Sequence, residues 1–403
     1  MSAGANLPRY DAVVVGAGPA GSSAAVVLAT AGLRVALVDK APFPRDKLCG
    51  GLLSERCMGE IRASFGPKCA APIEVTTYGA AIFDRERPVV RVGHYKPMHF
   101  TSRRTFDAHL VSVAAERGAD ILTGSAVTAV DFASGTVRLG DGRELHTAFV
   151  VGADGAGSRI RKLLGIPIGR DDFAVGLEAE VARESVGREV TNPEAYFGIA
   201  EWGYGWVFPK RDTLTVGIGG LAHRNADLRA RYRELALAAF GRVPSEPLCG
   251  SPIPFGNFVG MPGRGSTLVV GDAAGLVEPL TGEGIAFAIQ SGRYAAQAIV
   301  EAARIRAPER ALALYDAGYR SITRAFRDVR LLRQLVFSRV TRRAFLRALE
   351  GNERLVRSHM DVLAADTEYR DYARLVLAQT VRNLPRLARR AVTWAPSGSR
   401  RRA

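Results

Sequence analysis

The sequence of 403 residues exceeds one ordinary core of about 100 to 200 residues, which predicts two or three domains and excludes a single small module. Hydrophobic residues make up 47% and charged residues 24%, so the chain can bury a core and global disorder is excluded. The net charge of +15 rests on 49 arginines and only six lysines; arginine suits phosphates and interfaces, but coding bias gives the same skew, so placement must decide. The 43 glycines have no repeating period, which excludes a collagen-like chain and predicts tight turns and close approaches of backbone to ligand.

Cysteines stand at 49, 57, 69 and 249 without a CxxC pair, so disulfides, zinc and iron–sulfur clusters are not indicated and a reducing, cytoplasmic setting fits. The start, MSAGANLPRY, lacks the basic and apolar regions of a signal peptide. No run of about 18 apolar residues occurs, so membrane contact is expected to be peripheral.

In chain order, Tyr10 to Val15 reads as a strand, Ser22 to Ala31 as a helix and Arg34 to Asp39 as a second strand, a β-α-β unit. A helix is predicted over Arg104 to Arg117. Alternating segments over Ile121 to Val151 surround Asp141-Gly142, suited to a two-residue hairpin. Gly176 to Leu221 alternates strands and turns as an antiparallel sheet would. Leu268 to Gly271 is a buried strand and Gly282 to Ala303 a helix. Beyond Pro308 helical periodicity runs to a stop at Pro385.

The chemistry-bearing motifs begin with Gly16-Ala17-Gly18-Pro19-Ala20-Gly21, a GxGxxG between strand and helix. Its glycines permit a tight turn, close approach of a pyrophosphate and close helix packing, and Asp39 ends the second strand where an acid takes ribose hydroxyls. This fingerprint alone does not separate FAD from NAD. Further along stand Val151-Gly152-Ala153-Asp154-Gly155-Ala156-Gly157, Val270-Gly271-Asp272-Ala273-Ala274-Gly275 and Pro279-Leu280-Thr281-Gly282-Glu283-Gly284-Ile285. Read alone, Cys49 is more often a small buried hydrophobe than a reactive thiol, while Gly50 and Gly51 allow backbone to approach a ligand. Tyr204, Trp206 and Phe208 share one face of a strand, a stripe that by alternation alone is more often core than ligand wall. The six histidines lack ligand spacing, so no metal site is expected.

With these motifs in this order the chain resembles flavoproteins of the para-hydroxybenzoate hydroxylase type, and within them the geranylgeranyl reductase family. Hydroxylases usually carry histidine where this chain has Gly275 and asparagine where it has Ile285; the spellings here are similar to the reductases. Arg103-Arg104-Thr105-Phe106-Asp107 is similar to the family's RxxFD helix start, Phe43 to Gly51 to its Cys-Gly-Gly segment, and Gly203 to Lys210 to its Tyr-x-Trp-x-Phe-Pro stretch.

The resemblance implies an α/β fold: a Rossmann-like FAD-binding domain from 1–75, 101–165 and 262–305, an antiparallel β-rich substrate domain from 76–100 and 166–261, and a C-terminal helical extension, 306–403. It implies FAD held by Gly16, Gly18, Ala20, Gly21, Asp39, Lys40, Cys49, Gly50, Gly51, Arg103, Asp154, Gly271, Asp272, Gly282, Gly284 and Ile285. Cys49 and Tyr204 are the implied catalytic residues, and Tyr204, Trp206 and Phe208 the substrate wall. The implied reaction saturates double bonds of a prenyl chain on a diphosphate, lipid, quinone or pigment, with electrons from an external donor, NADPH or ferredoxin-like. A monooxygenase or halogenase, and a non-catalytic membrane-docked electron carrier, are the rival readings.

From Arg320 to Arg347 nine arginines face one acid, Asp328, interleaved with Phe326, Leu331, Leu332, Leu335, Val336, Phe337, Phe345 and Leu346. Such a basic amphipathic stretch can lie on an anionic cytoplasmic membrane surface, grip a diphosphate, or show a solvated face over a packed one. No helix-turn-helix, RNP or zinc-finger pattern accompanies it, so nucleic acid is not an expected partner.

Overall fold

The computed structural model describes residues 8–169 and 173–393. The expectations for the first seven residues and for a low-complexity end over 397–403 fall outside them. In chain order the elements begin β1 (Arg9–Val15), α1 (Pro19–Thr30), β2 (Val35–Asp39), β3 (Leu52–Leu53), α2 (Glu55–Phe65), β4 (Val75–Thr77), β5 (Ala80–Asp84), β6 (Arg87–Val92), β7 (Met98–Phe100) and α3 (Arg103–Glu116). Next come β8 (Asp120–Thr123), β9 (Val127–Asp131), β10 (Thr136–Leu139), β11 (Glu144–Gly152), α4 (Arg159–Leu163), β12 (Ala174–Ala182), β13 (Glu194–Phe197), β14 (Gly203–Pro209), β15 (Thr213–Leu221) and α5 (Leu228–Phe240). The chain closes with β16 (Cys249–Ile253), β17 (Gly263–Arg264), β18 (Thr267–Val269), α6 (Ile285–Arg304), α7 (Ala311–Phe337), α8 (Arg339–Leu349), α9 (Glu353–Leu363) and α10 (Tyr369–Thr393).

Apolar runs that are buried on both faces build the first sheet, in the order β17-β18-β11-β1-β2-β8, with β10 on β11 and β9 on β10. Its centre is parallel: Val14 pairs with Val151 on one side and Leu37 on the other, and all three are fully buried. The second sheet, β16-β12-β15-β14-β13-β5-β6, is antiparallel except where β13 runs parallel to β5. A small sheet, β3-β7-β4, joins residues near 52, 75 and 98. Helices α1 and α6 lie together against the first sheet, and α7 to α10 extend from α6.

Three local readings change. The Asp141-Gly142 hairpin closes through a longer loop: Leu139 N–H bonds the Arg143 carbonyl at 2.8 Å, with Gly142 at φ +88°, the positive angle glycine supplies at such a turn. Helix α6 starts at Ile285, because Gly282 at φ +76° is outside the helical region. Helix α10 runs through Pro385 to Thr393; proline removes one backbone donor, and here that loss does not end the helix.

Gly292 fixes how α1 and α6 meet, since a Cβ there would stand 2.1 Å from the Ala20 carbonyl oxygen. Backbone cannot yield as a flexible side chain would. Gly292→Ala is expected to destabilise the fold by about 1–3 kcal/mol or more, as overpacked cores do, measured as a lower urea midpoint at unchanged m.

Candidate functional site

The turn from β1 to α1 needs its glycines for two different reasons. A Cβ on Gly16 would lie 2.3 Å from the Ala153 oxygen, and one on Gly21 would lie 1.8 Å from the Gly16 oxygen, so both serve backbone packing. Gly18 is open instead, with Arg45 Nη2 at 3.8 Å the nearest atom to its would-be Cβ. It precedes α1 without any side-chain cap, leaving backbone donors and the positive end of the helix dipole for a phosphate.

Asp39 ties this turn to β2. Its carboxylate accepts the Ala17 N–H at 2.8 Å and the Ala41 N–H at 2.9 Å. Lys40 beside it is exposed. Asp154 accepts from Ser158 Oγ at 2.5 Å and from the Arg159 and Ile160 N–H groups at 2.6 and 3.2 Å. Its carboxylate therefore caps α4, and what it brings to the turn is its backbone beside Gly16.

The start of α6 forms the other half of the cradle. Gly271 stands at φ +55°, with Ala20 and Ala288 methyls 3.0 and 3.3 Å from its would-be Cβ, so the two helices converge on it. Gly284 precedes Ile285 without a side-chain cap, and Asp272 Oδ1 lies 3.7 Å from its would-be Cβ. Burial pushes the Asp272 carboxyl up, against the pull of Lys47 and Arg103. Arg103 makes a bidentate pair with the fully buried Asp107, at 2.7 and 2.8 Å. Burial alone would lower the Arg103 guanidinium, but Asp107 and Cys49 beside it hold it above its ordinary value.

Cys49, Gly50 and Gly51 cross from this cradle to the second sheet. Cys49 Sγ accepts the Gly51 N–H at 3.4 Å, and the Cys49 N–H donates to Glu178 Oε1 at 2.5 Å. A Cβ on Gly50 would stand 2.7 Å from the Phe208 ring, and one on Gly51, at φ +75°, 2.0 Å from the Thr101 oxygen. The sheet face presented here follows from register. Tyr204 pairs with Gly219 and that with Gly176; Trp206 pairs with Gly217 and that with Glu178. Bare backbone at Gly217 lets the Trp206 ring lie over it, 2.3 Å from a would-be Cβ. Tyr204 donates its hydroxyl to the Thr281 carbonyl, next to Gly282, and burial raises its pKa well above the ordinary range, with help from Glu278 and Cys49.

The cofactor and wall residues named from sequence thus lie at the starts of α1, α3 and α6, at the ends of β2, β11 and β18, in the loop from Cys49 to Gly51 and on one face of β14. Three further residues join them. Arg45 lies 3.8 Å from Asp39, 3.3 Å from Asp107 and over the Phe43 ring at 4.8 Å; Lys47 acts on Asp272; and Glu178 holds the Cys49 loop. Arg45 and Lys47 flank the Cys-Gly-Gly segment, a signal already in the sequence. Glu178 has no local signal, because only strand register brings it to Cys49.

Two uncapped helix N-termini about Gly271, an open glycine at one and a bare loop facing the other, suit a dinucleotide carrying a ring system. Residues 9–198 match the FAD binding domain family. A digeranylgeranylglycerophospholipid reductase of Methanothermobacter thermautotrophicus is 31% identical over 91% of this chain and 99% of its own. A menaquinone reductase of Mycolicibacterium smegmatis is 34% identical over 72% and 76%. Among solved structures, a geranylgeranyl bacteriochlorophyll reductase-like protein from Thermoplasma acidophilum superposes with TM-score 0.75 at 24% identity, covering 96% of this chain and 99% of that one. From fold, cradle and relatives together, the chain belongs to the geranylgeranyl reductase family of FAD-dependent oxidoreductases.

Proposed function

We propose that the protein saturates carbon–carbon double bonds of a prenyl chain carried on a diphosphate, lipid or quinone. The observation that carries this reading is the wall of Tyr204, Trp206 and Phe208, continuous with the Cys49–Gly51 loop and with Gly282. An apolar aromatic wall beside the cofactor loop suits an alkene without polar handles. Relatives named for reducing a geranylgeranyl phospholipid and a menaquinone support the substrate class.

In this reading the N-terminus of α1, with Gly18 and Arg45, holds the pyrophosphate, and Asp39 and Lys40 take the adenosine side. Asp272 and Arg103 hold the ribityl side. Gly282, Gly284, Ile285 and the loop from Cys49 to Gly51 flank the ring. Reduced FAD supplies the hydride equivalents, and an external donor renews it. Segments 1–75, 101–165 and 262–305 form the cofactor unit, 76–100 and 166–261 the substrate unit, and 306–403 its helical cover. Tyr204 stays protonated and directs its hydrogen to Thr281, which fixes its ring against Trp206 at 6.0 Å and Phe197 at 6.0 Å.

The basic stretch divides between two sides. Phe326, Leu332, Val336, Phe337, Phe345 and Leu346 are buried, and Arg333 is buried over the Phe255 ring at 4.5 Å. Arg320, Arg324, Arg327, Arg330, Arg339 and Arg343 face outward, with Arg320 on Asp316 and Arg339 on Glu201 among their ion pairs. No helix among the described residues is long and apolar enough to cross a membrane. Contact with an anionic bilayer would draw on these outward arginines.

Two measurements test these points. Incubating the reduced holoprotein with geranylgeranyl diphosphate or a geranylgeranyl phospholipid should oxidise the flavin and give products heavier by one H₂ per saturated bond. Cys49→Ser should slow that reoxidation about tenfold to hundredfold through a shifted loop, with FAD content kept; unaltered substrate and a silent flavin spectrum reject the reading. Separately, sedimentation should show binding to anionic vesicles at low salt that is lost at high salt, each outward arginine contributing about 1 kcal/mol near the surface. Equal recovery in every supernatant rejects the membrane surface.

A further inference from the structure

Glu178 is a buried acid at the reducing site that the family motifs do not reach. It sits on the same sheet face as Trp206, across Gly217, and is 7% exposed. One oxygen is fixed by the Cys49 N–H at 2.5 Å. The other, Oε2, is buried and has no hydrogen-bond partner among the described residues. A buried carboxylate oxygen without a partner carries a desolvation penalty, and binding a proton there removes the charge.

We propose that Glu178 holds on Oε2 the proton that completes reduction of the substrate double bond. The proposal rests on the reading above, in which reduced FAD provides the hydride. The Oε2–H bond breaks as a C–H bond forms at one alkene carbon, hydride goes to the other, and the carboxylate left behind keeps the Cys49 N–H until solvent reprotonates it. Burial supports this by raising the Glu178 carboxyl to about 7, offset in part by the Cys49 backbone bond. The other groups facing it are Glu180, which raises it, Lys210 and Lys47, which lower it, and its exposed cross-strand neighbour Cys249. Glu180 lies two residues along the same face and is exposed. The competing donor Tyr204 already spends its hydrogen on Thr281.

Protonated below about 7 and ionised above, Glu178 should make the rate fall as pH rises through neutrality. Glu178→Gln keeps an oxygen for the Cys49 N–H and the same volume, so the variant should fold and retain FAD. Its reoxidation by geranylgeranyl diphosphate should drop about 100-fold or more, the usual worth of a general acid, and lose the neutral pH limb; Glu178→Asp should regain part of the rate. Infrared titration of resting wild-type protein should show a protonated-carboxyl band disappearing near neutrality, absent from Glu178→Gln.

A Glu178→Gln enzyme as fast as wild type, or one keeping the same pH limb, overturns the proposal and assigns the titration to Glu283, whose buried carboxyl also rises to about 7. An infrared band identical in both proteins overturns it too. A wild-type flavin that no prenyl compound reoxidises defeats the proposed function instead, while the infrared comparison still decides whether Glu178 carries the proton.

Discussion

Helices α1 and α6 meet backbone to backbone, the Ala20 carbonyl oxygen lying 2.1 Å from where a Cβ on Gly292 would be. Such closeness is possible only with glycine, and the serines buried at the contact find backbone partners. Ser23 Oγ donates to the Ile289 carbonyl at 2.9 Å, and Ser291 Oγ accepts the Gly271 N–H at 2.9 Å while donating to Ala288 at 3.0 Å. Because the helices are locked here, their N-termini end on either side of Gly271. Each lacks a side-chain cap, so two sets of free donors and two dipole ends stand at one cradle. The cradle thus follows from small residues inside the helices, away from the glycine turn that marks it in sequence.

The second sheet applies the same device to one wall. Gly176, Gly217 and Gly219 leave bare backbone beneath Trp206, and on the reverse face Gly205 leaves room for Leu235. A sheet this poor in side chains would be weak by itself, since glycine gives up more entropy on folding and offers nothing to pack. The large rings supply the missing contacts: Trp206 fills the glycine floor, and Phe197 spans from Tyr204 to Phe337 and Phe345 at 6.0, 6.3 and 6.1 Å. Flat rings over a flat floor also bury an acid, Glu178, and that burial pushes its carboxyl up.

Order and type of most elements were legible because they are written locally. The β-α-β start, the strand ending at Asp39 and the long α6 carry continuous apolar runs or clear periodicity, and the glycine motifs lie at strand ends where their backbone angles are needed. Legibility ended where meaning depends on partners distant in sequence. Asp154 gives no local sign that its oxygens cap α4. Glu178 looks like one polar residue in an alternating strand until β12, β15 and β14 are aligned. Pro385 reads as a stop because local propensity is blind to the packing of α10, whose Tyr372 and Val376 are buried.

The C-terminal helices show how one periodic pattern serves a purpose other than the one it advertises. Their apolar stripe and arginine stripe together have the form of a membrane-surface helix, but the apolar half is consumed inside: Phe337 contacts Phe255 and Phe197, and Phe326 meets Phe287 at 4.8 Å. Burying that stripe joins α7 and α8 to both sheets and covers the aromatic wall. What remains outside is arginine charge with the exposed Val340 set among it, and that charge acts over about one Debye length and yields to salt. An anionic head group or an anionic surface would be attracted from a distance, while the wall of Tyr204, Trp206 and Phe208 and the loop at Cys49 offer close apolar contact instead of charge.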